Sequence, residues 1–333
     1  MSISHCISHL FHLDDKGEQG LALRDQEHTG GDLVEGLALD LKQAYLGRIN
    51  REYGCFAGGP EAPPLAGWLQ QLEQDELEFV PLSRQIATAL QQQLKEQETE
   101  LRGHLVLFLE EQHGQRALYL FLVSQRPAVR IDSQQQVEQV LTLDLGASLL
   151  ALKVDLSQWQ SESPGAYLSL VAPRSGKGLA EILRQLAGFA DTVDKSAATR
   201  DFLEQVEHFS RQVDEEQVGD FRNQVVAYCV EQDLKDEPVA IDRLCQAVDA
   251  VDAGAFSSYL ADNLPGSEGG LLLDRKSLQR YVKFAGREKD LAISFSSSQL
   301  NRRVHYDSDK DTLSITGLPK MLRSQLLGYG EKG

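Results

Sequence analysis

Hydrophobic spacing divides this chain into two regimes. Up to about residue 172, apolar residues mostly alternate or run together, the mark of strands, with helical stretches between them. Beyond it they recur at steps of three and four, and short alternating stretches return only near the end. ISHCISHLFHL at the start reads as a strand, and GLALRD, beyond the turn-like DDKGEQ, as a second. Leu33, Leu37, Leu41 and Ala44 line one side of a helix from about Asp32 to Arg48. CFAGGPEAPP at 55–64 is a loop, and helical spacing resumes over Leu65–Leu72 and Val80–Gln97.

His104–Leu109 and Ala117–Val123 are β-rich runs joined by EEQHGQR, which predicts a hairpin. Their near-continuous hydrophobicity predicts strands covered on both faces. Val140–Leu145, Leu149–Leu156 and Tyr167–Val171 are further strands of the same antiparallel sheet. After PRSGKG (173–178), helical spacing marks Gly178–Ala190, Ala197–Gln212, Glu215–Leu234, Val239–Val251 and GAFSSYLADN. Beyond the PGSEGG loop, a helix capped by Asp274 is expected to run to about Ala285 and stop at Gly286. Strands Leu291–Phe295, Arg303–Tyr306 and Thr312–Thr316 then close the chain. The predicted class is α+β: an N-terminal antiparallel sheet with helices, then a mainly helical C-terminal part ending in a small antiparallel sheet. At ~150 residues per domain, 333 residues imply two, divided here as 1–172 and 173–333.

Charge changes this picture. The net charge is −17, yet the segment from Asp274 onward carries 12 of the 33 Lys+Arg and only 7 of the 50 Asp+Glu. On the expected helix, Lys276, Arg280 and Lys283 fall within about 60° of one another, with Leu278, Tyr281, Val282 and Ala285 opposite. Arg287, Lys289, Arg302 and Arg303 follow. Such a pattern leaves two readings open, a solvated face and a surface for an anionic partner. The acidity of the rest disfavours indiscriminate binding to polyanions, so any nucleic-acid contact is expected to be local or created by assembly.

The other candidate chemistry is weak. SGKG at 175–178 lacks both the Gly five residues before its Gly-Lys pair and the following Ser or Thr of a phosphate loop. His5, Cys6, His9 and His12 are metal-ligating types, but a strand points odd and even positions apart, and they read as ordinary strand histidines. No nucleophile–base pattern occurs, so neither catalysis, cofactor nor metal is expected. Four separated cysteines fit a reducing, cytoplasmic compartment. The apolar runs, LVLFL and LYLFLV among them, are too short for a membrane span. The N-terminus lacks the basic segment of a secretory signal.

YLSLVAPRSGKGLAEILRQLAGF, RNQVVAYCVEQ, DRKSLQRYVKFAG and RRVHYDSDKDTLSITGLPKMLRSQL resemble the bacterial nucleoid-associated protein family NdpA/YejK. The similarity is strongest from Tyr167 onward and looser before it. It implies a protein of the nucleoid that binds double-stranded DNA largely without sequence preference, with no catalytic residues to carry over. On that basis Lys276, Arg280, Lys283, Arg287, Arg302, Arg303, Lys320 and Arg323 are the expected phosphate contacts. A homodimer is expected, which would double the basic surface, and other nucleoid proteins are admitted as partners. The alternative is an acidic interaction module, residues 190–265, that reaches the nucleoid through a DNA-handling protein.

Overall fold

Alternation in the first half becomes one large sheet. The computed structural model describes residues 2–29, 31–58, 64–112, 114–146, 149–161, 165–173, 177–190, 193–264 and 270–330. His113, residues 59–63 of the Gly/Pro-rich loop, 174–176 of PRSGKG and 265–269 of PGSEGG lie outside them. Two compact units result, Met1–Val193 and Asp194–Gly333.

The first unit runs β1 (Ser2–Leu13), β2 (Gln19–Ala22), α1 (Asp32–Leu46), β3 (Arg51–Phe56), α2 (Pro64–Glu73), α3 (Phe79–Glu96), β4 (Gly103–Gln112) and β5 (Gln115–Val123). It continues with β6 (Gln125–Ile131), β7 (Val137–Leu143), β8 (Leu150–Asp155), α4 (Leu156–Trp159), β9 (Leu168–Val171), α5 (Lys177–Ala187) and β10 (Phe189–Ala190). Eight strands form an antiparallel sheet in the order β10-β3-β9-β8-β5-β4-β1-β2. Successive residues of a strand face opposite sides, so Leu105, Leu107, Leu118 and Leu120 join one core with α2, α3 and α5. Val106, Phe108, Tyr119 and Phe121 join a second, beneath α1.

Three expectations for this unit change. Val140–Leu145 was expected in the central sheet; instead β7 pairs with the unanticipated β6 in a separate two-stranded sheet. Arg51–Phe56, not expected as a strand, pairs with β9. The unit boundary falls after Val193 rather than at 172/173. Ile182, Leu183 and Leu186 of α5 are buried in the first core, β10 pairs with β3, and Val193 N donates to Tyr53 O (2.9 Å).

The second unit runs α6 (Lys195–Ser210), α7 (Glu215–Lys235), α8 (Ile241–Ala247), α9 (Ala253–Asn263), α10 (Arg275–Tyr281), β11 (Lys283–Glu288), β12 (Leu291–Ser296), β13 (Val304–Asp307), β14 (Thr312–Ile315) and α11 (Lys320–Gly330). Phe202, Phe209, Phe221, Val225, Phe256 and Leu278 bring α6, α7, α9 and α10 around a helical core. The terminal strands form two separate two-stranded sheets, β11–β12 and β13–β14. Cys6, Cys229 and Cys245 are buried free thiols and Cys55 is half-buried. No helix among the described residues is long and apolar enough to cross a membrane.

His9 ties the first unit's stability to pH. Its ring is 1% exposed. Arg24 N donates to Nδ1 (3.2 Å), so Nε2 carries the proton and donates to Ser83 Oγ (3.0 Å). Burial, then Arg84 and His28, push its pKa down to about 4. Between that value and the ordinary 6.5, the unfolded chain holds more protons than the folded one, so stability rises with pH across the window and falls on acidification. We expect acidification from pH 7 to 4 to cost about 3 kcal/mol through this residue alone. Denaturant unfolding of His9→Gln, measured across that range, should show a correspondingly shallower pH dependence.

Candidate functional site

The basic stretch begins where the second unit grips it most firmly. Asp274 caps α10, its carboxylate accepting from Ser277 N (2.8 Å) and Ser277 Oγ (2.6 Å), while its own N–H donates to Thr199 Oγ1 (2.7 Å). Arg275 is 6% exposed. Its Nε lies 3.1 Å from Asp233 of α7, which Lys195 of α6 approaches to 3.4 Å. Leu278 is buried in the helical core. Tyr281 donates to Glu207 (2.7 Å), which also accepts from Arg222 (2.6 Å). Burial and that hydrogen bond push the tyrosine's pKa up. With this side held, Lys276 and Arg280 project as exposed cations one turn apart, ~6 Å along the axis.

The helix stops sooner than expected. Lys283, Phe284 and Ala285 belong to β11, in register with Ser296, Phe295 and Ser294 of β12. Alternation now sorts the side chains. One face carries Lys283, Ala285 and Arg287 opposite Ser296, Ser294 and Ala292. The other carries Phe284 against Phe295, ring centroids 5.4 Å apart. Lys283 and Arg287 thus share a face without a carboxylate, ~13 Å apart along the strand. The three-residue cationic stripe expected on one helix is therefore split between α10 and a strand. The alternating K-A-R and F-G-E of KFAGRE carried the signal; Gly286 falls inside β11 and ends no helix.

The remaining cations fare differently. Arg302 donates to Asp220 of α7 (2.6 Å). It borders a cleft of about 600 Å³ lined also by Glu215, Glu216, Asp220, Arg222 and Phe284. Arg303, expected on a strand beside His305, precedes β13 and donates to the carbonyls of Thr316 and Gly317. Lys320 and Arg323 sit exposed on α11, a helix the apolar spacing did not predict. On β13 and β14, Val304 is buried while Tyr306 and Ile315 are exposed. Among the described residues, Lys276, Arg280, Lys283, Arg287, Lys320 and Arg323 enter no ion pair; of the eight expected contacts, Arg302 alone does.

The N-terminal histidines are engaged singly. His5 meets Glu27 (3.0 Å), His9 meets Ser83, and His28 meets Ser8 (2.8 Å). Among the described residues no three His, Cys, Asp or Glu stand close enough to hold a metal ion.

On a chain of net charge −17, Lys276, Arg280, Lys283 and Arg287 are exposed on the consecutive elements α10 and β11, and Lys320 and Arg323 on α11. Point charges of this kind position a polyanion without reading bases.

The family described as nucleoid-associated protein YejK matches residues 7–323. A nucleoid-associated protein of Pseudomonas entomophila (strain L48) is 31% identical over 331 residues, 98% of each chain. One of Pseudomonas aeruginosa (strain UCBPP-PA14) is 30% identical over 98% of this chain and 97% of its own. One of Pseudomonas syringae pv. tomato (strain DC3000) is 29% identical over 98% and 99%.

Proposed function

Since the chain belongs to the family of nucleoid-associated protein YejK, its role is nucleoid-associated, and we propose that it binds double-stranded DNA directly, largely without sequence preference. Lys276, Arg280, Lys283, Arg287, Lys320 and Arg323 neutralise phosphates and release counterions. The action is architectural and not catalytic, carried out on the nucleoid in the cytoplasm. The observation that supports this most is the run of exposed cations on α10 and β11 with no carboxylate partner among the described residues. A homodimer doubles this surface, so that weak contacts act together.

Arg303 lends its charge from a fixed position. Arg302 is different, because Asp220 occupies it much as a phosphate would. Asp220→Asn is expected to free Arg302 for DNA. One added contact strengthens duplex binding about 8-fold at 0.1 M salt and steepens the log–log salt slope by ~0.9. Binding of a random-sequence duplex to the full chain, titrated over salt, measures both. Affinity that does not fall with salt would remove the direct-contact reading and leave indirect association through a protein.

That second reading has an observation of its own. A cleft of about 450 Å³ in the acidic helices is lined by Phe209, Val213, Asp214, Asp249, Val251 and Asp252, a composition that fits a basic segment. Yet Asp252 caps α9 through Ala255 N, and Asp249 accepts from Gln224. Less of this charge is left for a partner, and the DNA reading is preferred.

A further inference from the structure

β6 and β7 form a hairpin arm inserted between β5 and β8, which are neighbours in the main sheet. The arm is built, not loose. Its base is tied by Asp144 N donating to Ser124 O (2.8 Å). At its tip, Asp132 accepts from the N–H groups of Gln134 and Gln136, both at 2.8 Å. The register pairs Pro127 with Leu141, Val129 with Gln139 and Ile131 with Val137 on one face. On the other it pairs Arg126 with Thr142, Ala128 with Val140 and Arg130 with Glu138, an ion pair.

The first face is apolar and open. Val129 is 75% exposed, Ile131 68%, Val137 72% and Leu141 62%. An isolated two-stranded hairpin is marginal in water, and an apolar ladder of this kind calls for cover. Charge selects the occupant. On a chain of net charge −17, a second copy can approach closely only where like charges do not meet. This ladder has no ionisable group, and every charge of the two strands lies on the opposite face. An identical ladder is also self-complementary across a two-fold axis.

We propose that this face is the contact between two copies of the chain, the arms stacking face to face about a two-fold axis. Size sets the strength. Seven residues span ~23 Å, and two strands with their side chains ~10 Å, so the stacked pair buries roughly 500 Å² in all. That is well below the ~1,200 Å² of stable interfaces, so the dimer is weak and concentration-dependent. The contact specifies the homodimer proposed above. Its cooperative consequence on DNA, where neighbouring copies raise one another's effective concentration, rests on the DNA reading; the contact itself does not.

Sedimentation equilibrium of the full chain without DNA tests it. The expected result is a mass that rises from monomer toward dimer with concentration, and a monomer throughout for Val137→Asp combined with Leu141→Asp, with far-UV dichroism unchanged. A wild-type monomer at every concentration overturns both the arm contact and the homodimer. A variant that still dimerises overturns the arm contact alone. Should the double variant lose its fold, Gln139→Cys decides. A short bis-maleimide is expected to trap a dimer at this position beyond what the wild type yields through Cys55, and no such product overturns the proposal. Salt-dependent duplex binding by the monomeric variant would show that the DNA reading stands independently.

Discussion

Arg280→Glu combined with Lys283→Glu is expected to abolish retention of random-sequence duplex at 0.1 M salt while leaving the fold intact. Two lost phosphate contacts alone account for about 60-fold in affinity at that salt and for ~1.8 of the log–log salt slope. Repulsion between the new carboxylates and DNA adds to this. Both side chains are exposed, and neither enters an ion pair among the described residues, so the reversal removes no internal contact. Arg280 lies in the last turn of α10 and Lys283 opens β11, so one variant probes both halves of the divided surface. Fluorescence anisotropy with a labelled duplex, alongside thermal unfolding, separates binding from stability. Binding retained with an unchanged slope would place the DNA surface elsewhere.

Asp233→Ala is expected to destabilise the second unit by about 3–5 kcal/mol, the usual cost of removing one partner from a buried charge cluster. Asp233 stands between Lys195 and Arg275, joining α6, α7 and α10 through side chains with little solvent. The test has a built-in separation. Both tryptophans, Trp68 and Trp159, belong to the first unit, whereas α6 to α11 lie in the second. In urea, the share of the far-UV dichroism change that α6 to α11 contribute should move to lower denaturant, while the tryptophan fluorescence transition keeps its midpoint. Coincident shifts would mean that the two units unfold as one. Because Arg275 opens α10, loosening it also frees the helix that presents Lys276 and Arg280, so DNA binding should weaken near the shifted midpoint although no phosphate contact has been touched.

Several elements of the fold and site were legible as local patterns. Leu82, Ile86, Leu90 and Leu94 mark α3 by their spacing, and all four are buried. The unbroken hydrophobicity of β4 and β5 correctly implied cover on both faces, because each residue of a doubly covered strand meets a core. The excess of Lys and Arg beyond Asp274 is countable without coordinates. Each of these signals lies within a few residues of chain, at the range where propensity and periodicity act.

What the tertiary structure alone decided depends on partners distant in sequence. Lys283–Glu288 is compatible with a helix until β12 offers its backbone and Phe295 its ring. Arg275 and Arg280 look alike as letters, yet the first is buried against Asp233 and the second left in solvent. Arg302 has the same charge as Arg287, but Asp220 claims it. Periodicity places a side chain on a face; which faces meet, and which cations remain unclaimed, is set by long-range packing, where desolvation and charge pairing are resolved for the first time.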